Sequence, residues 1–529
     1  MALAPFRTEP TLDFSVAANR AEFTGALARV RGRLGRDYPL VIGGELVETG
    51  ELIQSYNPAH PEQVIGRHAA ARREDVDRAV AAGWSAFPDW SRTPIEERAA
   101  VLIRAAEVVR RRRAELSALM VYEVGKPWDE ADGEVSEVVD LIEWYARQAL
   151  ELNARDRMVP WPGELTQFRY LPLGVGAVIS PWNFPLALAT GMITAAVVAG
   201  NCVILKPAET SSTTAAWLVD IFTELGLPPG VINLLTGRGE VIGEALVDHP
   251  QIRFVAFTGS REVGVRIYER ASRVHPGQRW LKRVQLEMGG KNAVVVDETA
   301  DLDLAARAIT ASAFGFQGQK CSAGSRAILV ESTYDDMVGR VLELAAQLKV
   351  GDPTDPEVTV GPVIDGAAEE KILDYLQIGR REGELLLGGD RRPGEGHLIE
   401  PTVFGNVAPD ARIAQEEIFG PTVVVMPAQN FNEALWIANG TGYGLSLAVY
   451  TRDLARAFQA VDRLEAGIVY VNAPTIGAEI QLPFGGTKWT GNGHREAGPT
   501  AFDEFTEWKT VYIDYSGHLQ RAQIDTDKE

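Results

Sequence analysis

Cysteine is rare in this sequence: Cys202 and Cys321 are the only two among 529 residues, and they form no CxxC pair. This scarcity excludes a disulfide framework and a zinc knuckle, and it favours a reducing compartment. The sequence also has no run of about 20 apolar residues, the length that a membrane span requires. Its first residues lack the basic and apolar segments of a signal peptide. We therefore expect a cytoplasmic protein with no membrane partner.

Positive charge and histidine are also in short supply. Lysine and arginine number 52 against 72 aspartates and glutamates, which gives a formal net charge of -20 and a pI near 5.0. Such an acidic chain is not expected to bind nucleic acid. The seven histidines include no HExxH motif or other close pair, so the sequence predicts no metal site.

What the chain does have is the composition of a globular protein, with 46% hydrophobic and 23% charged residues. Its length exceeds what one hydrophobic core holds, so we expect at least two domains. The pattern is helical from about residue 69 to 152, and short apolar runs then alternate with helical stretches at 176–287 and 292–470. This alternation is typical of βαβ units. It predicts an α/β protein with a Rossmann-like dinucleotide-binding domain and a second α/β domain.

The segment FTEWKTVYIDY, which follows residue 500, alternates between polar and apolar residues. A single strand cannot form a sheet alone. The segment therefore needs a partner strand, either from residues 159–177 or from another subunit.

The segment GFQGQKCSAGSR places Cys321 among small residues with Lys320 beside it. A free thiol has a pKa of about 8.5, so a nucleophilic cysteine needs a base or a positively charged environment. Taken alone, Cys321 is better explained as a buried small hydrophobe. Two further segments favour a catalytic role.

In VQLEMGGKN, Glu287 ends an apolar strand and precedes two glycines, a setting that suits a general base whose pKa is raised by burial. In PWNFP, two prolines bracket Asn183 in a rigid turn that can aim its amide at a developing oxyanion. Each residue has an alternative role, as a capping or turn glutamate and as a turn asparagine.

Seven motifs together resemble the aldehyde dehydrogenase superfamily across nearly the whole chain: PWNFP, LKPAE, FTGSREVG, LEMGGKN, GQKCSAGSR, EEIFGP and NxxxxxxxxxxPFGG, in that order. The resemblance implies that Cys321 adds to the aldehyde carbon and forms a thiohemiacetal. Asn183 and the Cys321 backbone N–H would hold its oxyanion, hydride would leave to the nicotinamide, and Glu287 would deprotonate the water that hydrolyses the thioester.

The resemblance also implies a set of NAD-binding residues: Ile179, Trp182, Lys206, Glu209, Gly239, Gly259, Ser260, Glu417 and Phe419. Ser260 begins a helix whose N-terminus can receive the pyrophosphate. A carboxylate near the ribose 2′-hydroxyl, here Glu209, favours NAD over NADP. Lys206 is close enough in sequence to offset part of that repulsion, so NADP stays possible.

Within the superfamily, the stretches PFRTEP, VYEVGK, PGQRWLKR, VDETADLDLA and GFQGQKCSAGSR resemble 1-pyrroline-5-carboxylate dehydrogenases. There the substrate carboxylate is anchored by residues that correspond to Ser322, Gly477 and Ala478. The loop NAPTIGAEIQLPFGG departs from that subfamily, and from Asn472 onward the sequence resembles antiquitin, the α-aminoadipate semialdehyde dehydrogenase. Glutamate γ-semialdehyde, α-aminoadipate semialdehyde and a broad aldehyde range all remain candidate substrates.

Two other classes of protein are alternatives to a hydrolytic aldehyde dehydrogenase. A CoA-acylating relative would have no use for Glu287 as a hydrolytic base, and a non-catalytic structural relative could lose Cys321 or Glu287 at little cost to its fold.

We predict a dinucleotide-binding domain at 1–158 and 178–287, a catalytic domain at 288–480, oligomerisation strands forming a β-hairpin element at 159–177 and 500–520, and a tail at 521–529. The strands resemble the family's oligomerisation strands and imply a homodimer or a larger homo-oligomer.

Overall fold

The computed structural model describes residues 4–154 and 162–517, so the tail predicted at 521–529 lies outside the described residues. The described strands are, in chain order, β1 (Arg36–Tyr38), β2 (Leu40–Ile42), β3 (Glu45–Val47), β4 (Leu52–Asn57), β5 (His60–Ala69), β6 (Glu164–Pro172), β7 (Val175–Ser180), β8 (Cys202–Pro207), β9 (Ile232–Leu234), β10 (Phe254–Thr258), β11 (Arg283–Glu287), β12 (Ala293–Val296), β13 (Arg326–Val330), β14 (Glu384–Leu387), β15 (Thr402–Gly405), β16 (Thr422–Ala428), β17 (Tyr443–Gly444), β18 (Ser446–Tyr450), β19 (Ile468–Val471), β20 (Thr487–Lys488) and β21 (Thr506–Asp514).

The described α-helices are α1 (Ala17–Arg31), α2 (Arg73–Arg92), α3 (Ile95–Arg111), α4 (Arg113–Val124), α5 (Trp128–Ala154), α6 (Ala187–Val198), α7 (Ser212–Glu224), α8 (Glu244–Asp248), α9 (Arg261–Ala271), α10 (Leu302–Phe314), α11 (Tyr334–Ala346), α12 (Gly366–Glu382), α13 (Arg412–Gln415), α14 (Phe431–Asn439), α15 (Leu454–Arg463) and α16 (Phe502–Phe505). Short 3-10 or π turns lie at Glu209–Ser211, Gly239–Gly243, Gly315–Gly318 and Glu331–Thr333.

The first sheet has seven strands in the order β11-β10-β7-β8-β9-β2-β3. Its first five strands are parallel. Strand β2 pairs antiparallel with β9, and β3 pairs antiparallel with β2 at the edge of the sheet. Every residue of β7 and β8 is buried, because helices cover both faces of the sheet. This is the parallel βαβ layout that the sequence predicts for residues 176–287.

The second sheet also has seven strands, in the order β14-β15-β16-β13-β12-β18-β19. Its strands are parallel except β14, which pairs antiparallel with β15. The chain passes from the first sheet to the second between Glu287, the last residue of β11, and Ala293, the first of β12. The two sheets confirm the predicted α/β class.

Strands β6 and β21 pair antiparallel in a two-stranded ribbon, with Glu164 opposite Asp514 and Pro172 opposite Thr506. The partner of the C-terminal segment thus comes from the same chain, which is one of the two possibilities left open by the sequence. Gly174, with φ +136°, separates the ribbon from β7. Trp84 lies so close to Gly174 that a Cβ would be 2.6 Å from its ring. Strand β7 therefore joins the first sheet at Val175, before the predicted limit at residue 178.

Candidate active site

The proposed catalytic residues lie between the two sheets. Asn183 follows β7, and Glu287 ends β11, so both belong to the carboxyl edge of the first sheet. Cys321 precedes β13 and thus belongs to the amino edge of the second sheet. In parallel sheets, ligands bind outside the carboxyl ends of the strands. The segment before β13 of the second sheet thus places Cys321 next to Glu287, at the carboxyl edge of the first sheet.

One cavity of about 230 Å³ brings together five of the residues proposed from the sequence: Glu287, Cys321, Ser322, Gly477 and Ala478. Its walls also include apolar side chains from helices α5 and α6, from the PWNFP turn before α6 and from the loop before PFGG, among them Leu141, Phe184, Leu188, Ile476 and Ile480. Its size suits a small substrate, and its mixed lining suits one with an apolar chain and polar ends.

The Cys321 thiol has a raised pKa, because burial disfavours the thiolate and the carboxylates of Glu287 and Glu417 lie nearby. The neighbouring Lys320 does not supply the positive environment considered for the thiol, because its Nζ lies 2.7 Å from the carboxylate of Glu130. Thiolate formation therefore needs a base. Glu287 lines the same cavity and can accept a proton.

Glu287 is 2% exposed, and the Gly486 backbone N–H beside its carboxylate makes no hydrogen bond of normal geometry with either oxygen. Burial raises its pKa well above the usual range, and the nearby Glu496 carboxylate raises it further. The Glu287 carboxyl group therefore keeps its proton to a higher pH than a glutamate exposed to water does. A carboxylate held in this way is a strong proton acceptor once it ionises, which is the property that a general base requires.

Asn183 is buried, and its Nδ2 donates a hydrogen bond of 3.1 Å to the Gln319 carbonyl, two residues before the nucleophile. A side-chain amide carries two N–H groups, so the second remains for a bound oxygen. Phe184, rather than Asn183, contributes to the cavity wall. The structure thus links the PWNFP turn directly to the loop that carries Cys321.

Glu137 and Glu496 are among six carboxylates in the cavity wall that the sequence reasoning missed. Burial is the largest cause that raises the pKa of these two to about 7. Glu496 Oε1 accepts a hydrogen bond of 3.0 Å from Thr258. A signal was present for Glu137, because Glu130, Glu134 and Glu137 recur at helical spacing on one face of α5. No comparable pattern surrounds Glu496.

Seven of the proposed cofactor residues line a cleft of about 410 Å³ at the carboxyl edge of the first sheet: Ile179, Trp182, Lys206, Glu209, Gly239, Gly259 and Ser260. Ser260 caps helix α9, and its side chain accepts a hydrogen bond of 3.3 Å from Val263 N. The first turn of the helix borders the cleft, and the first N–H groups of a helix lack intrahelical partners, which makes a helix N-terminus suited to binding phosphate oxygens.

At the far end of this cleft, Glu209 Oε1 accepts a hydrogen bond of 3.2 Å from Gly239 N. Lys206 Nζ donates one of 2.9 Å to the Pro207 carbonyl. Burial lowers the pKa of Lys206, and the carboxylates of Glu209 and Glu240 offset only part of that effect. The cleft dimensions, the capped helix and the carboxylate together fit a dinucleotide.

Glu417 and Phe419 reach the site from the second sheet, in the segment before β16. They line a smaller cavity beside Gly290 and Lys320 rather than the large cleft. Glu417 Oε1 accepts a hydrogen bond of 2.8 Å from Gly290 N. Phe419, with φ +61°, packs edge-to-face on Trp182 at 5.6 Å between ring centroids. This contact connects the second-sheet residues to the cofactor cleft.

The loop with Gly477 and Ala478 is fastened to the nucleophile segment. Thr475 Oγ1 donates a hydrogen bond of 2.7 Å to the Ser322 carbonyl, and Thr475 N donates one of 3.2 Å to Ser312 Oγ. Gly477 has φ +86°, a conformation that L side chains rarely adopt. The loop can therefore present its backbone N–H groups beside Ser322.

Residues 4–154 and 162–517 contain no group of three or more histidine, cysteine, aspartate or glutamate side chains placed to hold a metal ion. Over the same residues, no helix combines the length and the apolarity needed to cross a bilayer.

Comparison with known proteins identifies relatives of nearly full length. A 1-pyrroline-5-carboxylate dehydrogenase of Geobacillus sp. (strain WCH70) is 51% identical over 508 residues, which are 96% of this chain and 99% of that protein. The 1-pyrroline-5-carboxylate dehydrogenase from Thermus with bound NAD is 48% identical, with a TM-score of 0.95 over 97% of this chain and 100% of that one. HpcC from Thermus thermophilus is 38% identical, with a TM-score of 0.88 over 94% of this chain and 97% of that one.

The family model described as the aldehyde dehydrogenase family matches residues 46–511, a span that contains all seven motifs. This match and the two structural similarities confirm the fold and the superfamily that the sequence predicts. The chain belongs to the aldehyde dehydrogenase family.

Proposed function

We propose that the protein oxidises L-glutamate γ-semialdehyde, the open form of 1-pyrroline-5-carboxylate, to glutamate with NAD as the hydride acceptor. The observation that carries the proposal is the single cavity in which Cys321 and Glu287 lie beside Ser322 and the backbone of Gly477 and Ala478. The relatives from Geobacillus and Thermus, which are about half identical over nearly the whole chain, support the choice of substrate and cofactor.

In the first half of the reaction, Cys321 Sγ forms a bond to the aldehyde carbon, and the thiol proton passes to Glu287. The carbonyl oxygen becomes an alkoxide that the second Nδ2–H of Asn183 and the backbone N–H of Cys321 stabilise. NAD, when bound in the cleft, supplies the hydride acceptor. The aldehyde carbon is thereby oxidised to the level of a thioester on Cys321.

Before the second half, Glu287 releases the thiol proton to solvent and becomes a carboxylate again. It then removes a proton from water, and the hydroxide adds to the thioester carbon. The carbon–sulfur bond breaks, and the products are the carboxylic acid and the Cys321 thiolate. Burial of Glu287 raises its pKa, and this higher proton affinity favours removal of a proton from water. The same residue thus serves both half-reactions.

The anchor for the far end of the substrate consists of Ser322 and the loop that Thr475 fastens to it. A hydroxyl and two backbone N–H groups suit a carboxylate. α-Aminoadipate semialdehyde is longer by one methylene, which is worth about 1–3 kcal/mol in a fitted pocket. The antiquitin-like residues after Asn472 make this longer substrate the alternative.

The test is kcat/KM with glutamate γ-semialdehyde, α-aminoadipate semialdehyde and hexanal, each with NAD and with NADP, followed through absorbance of the reduced cofactor. We expect glutamate γ-semialdehyde with NAD to exceed each alternative by at least about tenfold. A Cys321→Ala variant provides the blank. A higher kcat/KM for hexanal would contradict carboxylate anchoring, and a higher value for the aminoadipate compound would reassign the substrate.

We also propose that the β6–β21 ribbon is an oligomerisation element of a homodimer or a larger assembly. Its exposed face carries Phe168, Tyr170, Trp508 and Tyr512, and the last two are 62% and 69% exposed. An apolar face on a two-stranded ribbon is unstable unless another surface covers it.

For location we propose the cytoplasm, since Cys321 acts only as a free thiol and both cysteines are free.

A further inference from the structure

The segment that leads to Cys321 contains two consecutive non-glycine residues with left-handed backbone, Phe316 at φ 45° and Gln317 at φ 57°. Both are fully buried. Such a conformation costs free energy and persists only where the surroundings hold it. Gln317 Nε2 donates hydrogen bonds to the Gly125 carbonyl at 3.0 Å and to the Pro362 carbonyl at 2.8 Å. Gly125 therefore anchors this reversal from the end of α4.

The next residue, Lys126, contacts Phe316, the other residue with left-handed backbone. Its Nζ lies 4.4 Å from the centroid of the Phe316 ring and 3.7 Å from that of Phe184. The two rings pack edge-to-face, 6.1 Å apart at 79°. Phe184 follows Asn183 directly, so one ammonium group contacts both the segment of the amide donor and the segment of the nucleophile.

Glu134 completes this group, which we call the Lys126 cluster (Lys126, Glu134, Phe184 and Phe316). Its Oε2 lies 2.6 Å from Lys126 Nζ, and both side chains are fully buried. Its Oε1 accepts hydrogen bonds from Leu186 N at 2.8 Å and from Ala187 N at 3.0 Å. The carboxylate therefore fixes the chain between Asn183 and helix α6 while it balances the charge of the lysine.

Stability alone is a poor reason for such a cluster. Desolvation of two buried charges offsets most of their attraction, and well-packed apolar residues in their place are often as stable or more so. What the cluster does achieve is geometrical. It ties the residue after Asn183 and the reversal before Cys321 to one fixed point at the beginning of α5.

We propose that Lys126 is a positioning residue, which, paired with Glu134, sets the place of the Asn183 amide relative to Cys321. The inference rests on the proposed function. Lys126 contacts neither substrate nor cofactor in this scheme, and it acts through the rings of Phe184 and Phe316. Misplacement of about 1 Å between reacting groups can cost about 100-fold in rate. The cluster therefore contributes chiefly to kcat.

The test begins with the Lys126→Met/Glu134→Gln pair, which removes the ammonium without leaving a buried charge unpaired. The new amide at position 134 keeps an oxygen for Leu186 N and Ala187 N. We expect kcat and the rate of the NADH burst to fall about 10- to 100-fold, while KM for the aldehyde and the Kd of NAD change less than about twofold. Restored wild-type kcat in this double variant would mean that Lys126 serves only as the counter-ion of Glu134, and the proposal would be wrong.

Arg113→Met/Asp132→Asn is the matched control, because Arg113 pairs at 2.6 Å with the buried Asp132 on the same helix α5. We expect a comparable fall in melting temperature with wild-type kcat. A loss of kcat that tracked the melting temperature in both variants would assign the cluster a purely structural role.

A double-mutant cycle with Asn183→Ala separates positioning from other effects. If Lys126 acts through the amide, its removal costs less than about twofold in kcat once the amide is gone, because coupled residues are non-additive. Full additivity would overturn the proposal. The proposed function fails by a different result, namely wild-type activity in Cys321→Ala, so the two failures are distinguishable.

Discussion

The cofactor cleft and the substrate cavity adjoin each other, but different structural elements line them. The cleft of about 410 Å³ is formed largely by turns at the carboxyl edge of one sheet and by the first turn of a capped helix. The cavity of about 230 Å³ is lined by side chains that converge from helices α5 and α6, the Cys321 loop and the loop around Gly477. Backbone geometry makes the first site, and side-chain chemistry makes the second.

The difference is clearest in the ionisable groups. Four carboxyl groups in the cavity wall, those of Asp129, Glu137, Glu287 and Glu496, have pKa values raised mainly by burial. In the cleft, the ordering groups are Ser260 and backbone N–H groups. A region that only binds can depend on fixed dipoles, whereas a region that moves protons needs groups that titrate near neutrality. The following variants test whether the two regions are as separable as this division implies.

Cys321→Ala should abolish cofactor reduction, by on the order of 10⁴-fold or more in kcat, because the covalent route is lost. NAD affinity, measured by fluorescence titration, should stay within about twofold, since the cleft does not depend on the thiol. The control is Cys202→Ala, because that thiol is buried in β8, away from the cavity. A large loss of NAD affinity in Cys321→Ala would contradict the separation of the two regions.

Glu287→Gln should lower steady-state kcat by about 10²- to 10⁴-fold, because hydrolysis of the thioester loses its base. Stopped-flow absorbance should detect a burst of NADH of about one equivalent per site, slower than in the wild type because solvent replaces Glu287 as acceptor of the thiol proton, and then a stall. Steady turnover at the wild-type rate would exclude Glu287 as the base for hydrolysis.

Glu209→Ser tests the cleft instead. Loss of one negative charge near the ribose should raise kcat/KM with NADP by about tenfold relative to NAD, since like charges at contact distance repel by about 1–4 kcal/mol. Rates with saturating NAD should be unchanged. Glu240→Ser, another carboxylate at the rim of the cleft, is the comparison, and an equal gain there would indicate a general field effect.

Glu496→Gln should move the rising limb of the kcat–pH profile to lower pH. Glu287 acts as a base only after it loses its proton, and the Glu496 carboxylate raises the Glu287 pKa. Removal of that charge lowers the pKa, so activity appears earlier as pH rises. Asp140→Asn is the matched control, because burial also raises the Asp140 pKa to about 7 outside the cavity. An unmoved limb in Glu496→Gln would mean that Glu287 does not set it.

Trp508→Lys/Tyr512→Lys should affect neither region directly. It should reduce the molar mass measured by light scattering, because two charges on the apolar face of the ribbon oppose its burial. We expect kcat per protomer to change less than about threefold, since the ribbon residues do not line the cavity or the cleft. Wild-type mass in this variant would exclude this face of the ribbon as the interface.

The sequence was most informative where local pattern and chemistry coincide. Cys321, Glu287 and Asn183 stand in short motifs at the ends of predicted strands, and the structure brings their segments together. The alternation of strands and helices predicted both sheets, because it follows from burial on two faces. The domain limits and the roles of the individual site residues stay predictions.

The rest depends on contacts between distant segments. Glu496 reaches the cavity through the chain that follows PFGG, and nothing near it in the sequence marks it as buried. Adjacency made Lys320 a candidate to activate its neighbour, yet it pairs with Glu130, 190 residues away. Periodicity places a side chain on a face of its own element. It does not say which charge from another element meets that side chain there.

The β6–β21 ribbon has a consequence for how the protein is made. Glu164 pairs with Asp514, so the residues between them have to leave the ribosome before this part of the ribbon can form. A product cut short before residue 506 would keep β6 as an unpaired edge, and such edges recruit other chains. Closing the ribbon therefore distinguishes a chain that includes β21 from a truncated chain that is prone to aggregate.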